Sequence, residues 1–366
     1  MRKLDQYLIR QFLTILVMAL IGFITVFIIV DLFENLDRFI DNHVPASLVI
    51  SYYGYTLPWF INIGLPMATL IATVFSVGTM VKRNEWTAMK STGISLYRIS
   101  ATLIIIGVFL SYLSYEFEDK LVSWGNEKRF DIERKYMKKR SRRSLIRIKK
   151  TLTDVFLQKQ EKTHISLAKY NVRNASARGI AVVDLNHGQL SRRVDAKTMV
   201  WVDSLSAWNI TNYSLRTFDG AGTETHVILS EKDTLLTLNF TPEDITQQFK
   251  SPEELNYAEL TERIALLKEN GVRTTHWEIA QHFKISFAFT NMIVIIFGIP
   301  LVVLKQKGGL SFGAGMSVFV IFSYYAFIKF GQSLGYKEIL DPLLSAWIGN
   351  IVFSIGGLLL LFSVRK

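Results

Sequence analysis

The sequence predicts a polytopic α-helical membrane protein with six transmembrane helices in a 3+3 arrangement and an all-β, jellyroll-like domain inserted between the two groups. Three observations predict this fold class. Apolar residues are concentrated in long uncharged blocks, the blocks fall into two groups of three, and the region between the groups changes to short β-type runs. With 366 residues, 49% of them hydrophobic, and a net charge of +11, the chain is neither disordered nor an ordinary soluble enzyme.

The predicted crossings are uncharged stretches of the length that a membrane-spanning helix needs, about 20 residues. They are residues 12–30, 57–81, 99–115, 285–304, 308–328 and 343–364. The second apolar block begins at Val44, but Pro45, Gly54 and Pro58 lie in its first part. A helix rarely continues smoothly through such residues, so we expect this crossing to begin near Leu57.

Lys and Arg in the short loops predict the orientation, because these residues resist translocation. One side of the predicted bundle, made of both termini and the loops at 82–98 and 305–307, holds eleven of them. The short loops of the other side, at about 31–56 and 329–342, hold three. Both termini are therefore expected in the cytoplasm and residues 116–283 on the outer side. The first apolar block is too long for a secretory signal and is expected to remain as an anchor. The chain has no cysteine, which excludes disulfides.

In the outer region, the residue pattern predicts a helical extension at 118–143 and a β-jellyroll at about 144–250. A further helical segment at 253–282 is predicted to lead back to the membrane. The chain thus divides into 1–117, 118–282 and 283–366. Short β-type runs lie at 145–148, 154–157, 164–167, 180–183, 199–202, 208–210 and 235–238. Turn signals such as Asn186-His187-Gly188 separate them, which is typical of a sandwich, jelly roll or other curved sheet.

A basic run from Lys120 to Lys150 carries thirteen Lys and Arg residues. It indicates either a solvated helix that continues out of the third crossing or a surface facing anionic lipid headgroups. No RNA-type aromatic motif accompanies it, so nucleic acid is not expected as a partner.

The sequence carries no motif for catalysis or metal binding. It lacks the G-x-x-x-x-G-K-[ST] phosphate loop and the H-E-x-x-H zinc motif, and its six histidines are scattered. The segment 309–313 matches G-x-S-x-G, but it joins two predicted membrane helices and fits a close helix contact through small residues better than a nucleophile elbow. We expect no enzyme, no metal site and no cofactor bound by this chain.

The loop at about 84–93 predicts a short amphipathic helix. Asn84 can cap it, Trp86, Met89 and Lys90 share a face at i, i+3 and i+4, and Gly93 can end it. From these residues alone two interpretations stay open. The helix could lie on the bilayer surface, or it could be a coupling helix inserted into a cytoplasmic motor subunit.

Three features together resemble the lipopolysaccharide export permeases of the LptF/LptG (YjgP/YjgQ) family. The first is the segment NEWTAMKSTGIS at 84–95, which follows the proline-bearing helix with Gly64-Leu65-Pro66-Met67. The second is the segment Phe297-Gly298-Ile299-Pro300-Leu301, followed by Gly308-Gly309. The third is the order of three helices, a β-domain and three more helices. No single piece is a strict motif, but order and spacing agree over the whole chain.

The resemblance implies a permease subunit of an ABC transporter in the bacterial inner (cytoplasmic) membrane, with the β-domain in the periplasm. Its implied partners are an LptB-type ATPase dimer that uses ATP and Mg in a separate chain, a second LptF/LptG-type permease and an LptC-type periplasmic bridge protein. The implied cargo is lipopolysaccharide or another anionic glycolipid, extracted from the outer leaflet and passed to the bridge. A mechanotransmission subunit and an exporter of a different lipid remain the alternatives.

The resemblance also implies roles for particular residues. Glu85 would be the carboxylate that meets the ATPase, and the outer parts of helices 1 and 5 would form a lateral gate. The implied ATPase-coupling residues are Glu85, Trp86, Met89, Lys90 and Gly93, and the implied gate residues are Phe27, Val30, Phe33, Arg38, Tyr324, Ile328 and Lys329. The outer end of helix 1 departs from the basic character of some relatives, since Arg38 is the main cation in an otherwise acidic stretch.

Overall fold

The computed structural model describes residues 3–93, 95–137, 151–159, 163–171, 174–186, 189–205, 207–219, 222–236, 238, 240–242, 245, 250–269, 273–304 and 309–363. The chain divides into a helical unit, residues 1–141 with 251–366, and a β-unit, residues 142–250. Six helices in the described ranges are long and apolar enough to cross a membrane, and the sheet is inserted between the third and the fourth. The predicted fold class is confirmed.

The helical unit contains nine described α-helices. They are α1 (Lys3–Asp41), α2 (Ala46–Lys82), α3 (Glu85–Ser91), α4 (Leu96–Phe117), α5 (Ser123–Tyr136), α6 (Tyr257–Glu269), α7 (Thr275–Leu304), α8 (Gly309–Tyr336) and α9 (Pro342–Ser363). A five-residue π-helix, Glu118–Val122, joins α4 to α5 without a break.

The helix α2 is longer than the sequence predicts. It begins directly after Pro45 and continues through Pro58 and Pro66, so the expectation that these residues interrupt the helix before Leu57 was wrong. A proline inside a membrane helix is tolerated where neighbouring elements pack against it and the backbone groups that it frees find partners. Such packing is present at Pro58, because a Cβ atom on Gly125 of α5 would lie 3.5 Å from the proline ring.

Small residues allow the membrane helices to approach one another closely. A Cβ atom on Gly107 of α4 would lie 3.1 Å from the Cα atom of Met292 in α7. On α8, a Cβ atom at Gly313 would lie 2.9 Å from a methyl group of Val74 in α2. In lipid, where apolar burial between helices drives association only weakly, such close backbone approach is a main source of packing energy.

Seven described strands form one antiparallel sheet in the β-unit. They are β1 (Thr151–Lys159), β2 (Thr163–Asn171), β3 (Ser176–Asn186), β4 (Gln189–Val202), β5 (Ala207–Phe218), β6 (Glu224–Ser230) and β7 (Thr234–Leu236). Strands β1 to β6 follow one another in sequence order, and β7 pairs with β5 beside β6. Six of the predicted runs lie on these strands, the last of them in part, whereas 145–148 is outside the described residues. The sequence prediction missed β6, in which nearly every side chain is exposed and the burial pattern does not alternate.

The core of the β-unit is built from alternate residues on one face of the sheet. Trp208 is fully buried, and its indole nitrogen donates to the carbonyl oxygen of Phe240 at 2.8 Å. Trp201 meets the Trp208 ring edge to face at 5.1 Å, and Leu167 and Met199 belong to the same cluster.

Candidate functional site

The helix α3 lies between two residues with left-handed backbone conformations. Asn84 has φ 59° and its carbonyl accepts the amide of Ala88 at 3.0 Å, which starts the helix. Gly93 has φ +81°, a conformation that costs glycine little and strains any other L-residue. These two residues separate α3 from α2 and α4 as a short element of its own.

One face of α3 is turned into the helical unit. Trp86 is only 3% exposed and belongs to the apolar cluster that contains Leu8, Met80 and Leu103. Met89 packs against the same cluster. These two predicted coupling residues therefore anchor α3 to the helical unit. The side chain of Lys90, also predicted to take part, lies outside what the structure describes.

The carboxylate of Glu85 lies at the surface of this loop. Its side chain is 34% exposed, and the guanidinium of Arg83 lies 3.8 Å from Oε1. The hydroxyl of Tyr7 in α1 donates to the carboxylate, at 3.2 Å from Oε2 and 3.4 Å from Oε1. A carboxylate that is oriented in this way and still accessible can accept further hydrogen bonds from a cationic side chain.

The middle of α1 is the least buried part of the membrane helices. None of residues 17–34, all of which the structure describes, is buried. Of the predicted gate residues there, Phe27 is half-buried and stacks on Phe23 at 6.2 Å, whereas Val30 is exposed and Phe33 is 74% exposed. This stretch offers an apolar surface to lipid or to another membrane helix.

Two predicted gate residues on α8 do not face lipid. Tyr324 is fully buried, its hydroxyl donates to Asn350 in α9 and lies 3.2 Å from the Thr290 hydroxyl, and Ile328 is buried in the same cluster. A hydroxyl inside a membrane requires a partner, and Tyr324 finds one only by turning into the bundle.

The exposed face of α8 is formed instead by residues that the sequence analysis did not single out: Val318, Phe319, Phe322 and Phe330. Helical periodicity was the signal that could have found them. At about 100° per residue, Phe319, Phe322 and Phe330 share one face, and Tyr324 and Ile328 lie about half a turn away.

The two predicted gate cations differ in accessibility. Arg38 is half-buried, it donates to the Asn35 side chain at 2.6 Å, and its Nε atom is buried with no hydrogen-bond partner among the described residues. Lys329 is exposed and donates to Gln332 at 3.1 Å.

Three cations in the described part of the basic run make local contacts. Lys120 pairs with Glu116 at 2.6 Å, and Arg134 makes two contacts with the buried carboxylate of Glu254 at 2.7 and 3.0 Å. The Arg129 guanidinium lies over the Trp59 ring at 5.1 Å. Arg129 and Arg134 therefore stabilise helix packing, whereas Lys120, Lys128 and Lys135 are exposed, and residues 138–150 lie outside the described ranges.

A groove on the β-unit has a volume of about 520 Å³. Its lining combines the apolar side chains of Ile180, Tyr213 and Leu229 with the charged groups of Asp195 and Lys197. Among the residues that the structure describes, no group of three or more His, Asp or Glu could hold a metal ion.

Six apolar helices, a short loop helix anchored against them and an antiparallel sheet inserted between the third and fourth crossings define a multi-pass membrane protein. The chain belongs to the lipopolysaccharide export system permease LptF/LptG family, whose family model matches residues 6–362. It is also similar to the lipopolysaccharide export system permease protein LptF of Escherichia coli K12 and of Shigella flexneri, with 25% identity over 109 residues in each case. Each of these alignments covers 30% of this chain and 30% of the relative, so less than a third of the curated relatives is matched.

Proposed function

We propose that this chain is the permease subunit of an ABC transporter that extracts lipopolysaccharide, or a related glycolipid, from the outer leaflet of the inner membrane. It passes the lipid to a periplasmic bridge protein on the way to the outer membrane, and a separate cytoplasmic ATPase supplies the energy with ATP and Mg. The observation that carries this proposal is membership of the LptF/LptG family over residues 6–362. Both termini and α3 lie in the cytoplasm, and the β-unit lies in the periplasm.

The anchored geometry of α3 supports its role as the coupling helix. Trp86 fixes one face of α3 to the membrane helices, and Glu85 stays accessible beside it. A short helix that is held at one face transmits a push to the helices behind it, whereas a loosely attached helix would only tilt. Nucleotide binding moves lipid only if it favours one of two conformations, and closure of an ATPase dimer beneath two such helices provides that bias.

The exposed faces of α1 and α8 support a lipid cavity shared with a second permease. Phe33 on α1 and Phe319, Phe322 and Phe330 on α8 form apolar surfaces that suit acyl chains. Arg38 and Lys329 stand near the ends of these faces as candidate headgroup contacts. The sibling subunit completes the cavity, and its opening between α1 and α8 is the lateral gate.

The β-unit supports transfer to a bridge protein. The strand β1 ends the strand order on one side of the sheet, and β6 and β7 end it on the other. A sheet edge with free backbone groups can be extended by a strand from another protein. The groove beside Tyr213 and Leu229 provides apolar surface along which an amphiphile can pass.

A second candidate, the exporter of a less phosphorylated lipid, is favoured by the charges at the outer end of α1. Asp31, Glu34, Asp37 and Asp41 surround Arg38 along this stretch. Carboxylates repel phosphate groups, so a headgroup with several phosphates would need cations from the partner permease.

Co-purification from native membranes tests the proposal. The full chain is purified, and mass spectrometry identifies the associated proteins and the bound lipid. Recovery of an ATPase, a sibling permease and lipopolysaccharide is the expected result. An ATPase with a different lipid would select the second candidate, an ATPase without lipid would indicate a mechanotransmission subunit, and absence of any ATPase would overturn the proposal.

A further inference from the structure

The first turns of α1 are tied by polar contacts to both elements that flank the Gly93 turn, α3 and α4. Tyr7 donates its hydroxyl to Glu85 at 3.2 Å, which joins α1 to α3. Asp5, only 7% exposed, pairs with Arg98 at 2.7 Å and accepts the hydroxyl of Thr102 at 2.9 Å, which joins α1 to α4. Contacts to a buried carboxylate are directional and hold the segments in one geometry.

Apolar packing supports the same turns of α1. Leu8, Phe12 and Leu16 follow Asp5 at helical spacing, and all three are buried. They belong to the cluster that contains Trp86 of α3 and Leu103 of α4. The segment from Asp5 to Leu16 therefore forms one packed block with the coupling loop.

The rest of α1 is held far less tightly. Residues 17–34 contribute no buried side chain, although the structure describes all of them, and burial resumes only at Asn35 and Phe39. The helix has 39 residues, which corresponds to about 58 Å at 1.5 Å per residue. A stiff helix that is packed in its first turns and again at Phe39, with little burial between them, can pass a displacement of its first turns along its length.

We propose that these contacts are the joint through which movement of α3 reaches α1, with Tyr7 as the positioning residue for the Glu85 carboxylate. The Tyr7 hydroxyl links α1 to the Glu85 side chain of α3, and the Asp5, Arg98 and Thr102 contacts link α1 to α4. The inference rests on the proposed function and adds to it the route by which the loop drives the gate helix.

Removal of one hydroxyl tests the joint. Tyr7→Phe keeps the ring and deletes only the donor, and Tyr7 is 40% exposed, so the change leaves the apolar block intact. Thr14→Val is the matched control, because it deletes a hydroxyl in the same helix that donates only to the Arg10 carbonyl. Both variants are prepared as the full complex with ATPase and sibling permease in proteoliposomes that contain lipopolysaccharide.

The absence of native cysteine permits a direct readout of helix movement. Spin labels at Phe33→Cys and Leu343→Cys, both at exposed positions, report the distance between α1 and α9 with and without nucleotide. We expect Tyr7→Phe to retain bound ATPase and ATP hydrolysis, to diminish the distance change, and to lower lipid release per ATP by about threefold to tenfold, as expected for loss of one solvent-exposed hydrogen bond.

The outcomes distinguish a failure of the proposed joint from a failure of the proposed function. If the unmutated complex releases lipid and Tyr7→Phe matches Thr14→Val in distance change and release, the joint is overturned and the proposed function stands. Loss of the ATPase from the Tyr7→Phe complex also overturns the joint, because it assigns the hydroxyl to docking. If the unmutated complex binds no ATPase or releases no lipid, the proposed function itself fails.

Charge exchange supplies a second, independent test. Asp5→Arg and Arg98→Asp should each lower release per ATP, and the double variant should recover part of it, since opposite charges then face each other again. If the single variants fold and release lipid normally, the Asp5 contact is no part of the joint. Tyr7→Phe decides the question if these buried changes prevent assembly.

Discussion

The ammonium of Lys284 in α7 lies 3.2 Å from a carboxylate oxygen of Glu118, 166 positions earlier in the chain. Lys284 is almost completely buried and also donates to the Ser123 hydroxyl at 2.9 Å, while Asn62 of α2 donates to the other oxygen of Glu118 at 2.5 Å. Glu118 opens the π-helix, a local widening that often accompanies functional or strained sites. The pair thus connects α2, α7 and the junction of α4 with α5.

Breaking this ion pair should destabilise the helical unit. Lys284→Met leaves Glu118 without its cation, and removal of one partner of a buried pair costs about 3–5 kcal/mol. Thermal unfolding in detergent measures the loss, and Lys268→Met is the control, because Lys268 is exposed and its pair with Glu278 should contribute less than about 1 kcal/mol. If both variants lower the unfolding temperature equally, the buried pair stabilises the helical unit no more than the exposed pair does.

Removal of the Glu85 carboxylate should disconnect the permease from its motor. Glu85→Ala is expected to abolish lipid export and weaken ATPase association by about 2 kcal/mol or more, roughly thirtyfold, with normal membrane insertion. Pull-down of the ATPase and a lipid export assay measure the two effects. Glu262→Ala in α6, at an exposed position, is the control. Normal assembly and export in Glu85→Ala would remove the coupling role from this residue.

The two faces of α8 should differ in lipid contact. A photo-crosslinking amino acid at Phe322, or at Phe33 on α1, is expected to yield lipopolysaccharide adducts in membranes, because both side chains are exposed. The same probe at Ile328 should yield none, since that side chain packs inside the bundle. Adducts at Ile328 but not at Phe322 would show that α8 rotates in the working complex.

Reversal of the gate cations should weaken headgroup binding. Arg38→Glu and Lys329→Glu each replace an attraction to anionic headgroups by a repulsion, and we expect lipid crosslinking at Phe33 to fall severalfold in both. Lys337→Glu, exposed on the connection after α8, controls for a general effect of charge. If neither gate variant differs from this control, the headgroup lies elsewhere.

Tyr170 should limit the stability of the β-unit at high pH. Its hydroxyl is buried without a hydrogen-bond partner in the described residues, and burial raises its pKa from 10.0 to about 12. The unfolded tyrosine ionises first, so this group's contribution to stability is lost as the pH rises from about 10 to about 12.

Tyr170→Phe should therefore unfold at a higher pH than the unmutated chain, with no loss of stability at pH 7, because an unpartnered buried hydroxyl costs about 1–3 kcal/mol. Circular dichroism during alkaline titration of the full chain measures the difference. Tyr213→Phe, half-buried in the same sheet, is the control. A marked destabilisation by Tyr170→Phe at pH 7 would mean that the hydroxyl has a partner after all.

Sequence patterns predicted the local secondary structure of the candidate site but not the contacts between its side chains. The segment 84–93 predicted a short helix ending at Gly93, and the structure has α3 at Glu85–Ser91 followed by that glycine in the left-handed conformation. The sequence did not reveal that Trp86 is buried, because the same spacing suits an interfacial helix or a packed one. Likewise the sequence did not reveal that Tyr324 lies on the buried face of α8.

The sequence by itself determined the six apolar helices, the inserted sheet and the position of the short helix α3. Long uncharged stretches, strand alternation and helix-ending glycines are all properties of short segments. Only the tertiary structure decided that α2 continues through two prolines, which of α8's faces is buried, and that Tyr7 meets Glu85 and Lys284 meets Glu118. These features depend on which helices lie side by side. A buried polar group takes whichever partner the neighbouring helix offers, and no local pattern specifies that neighbour.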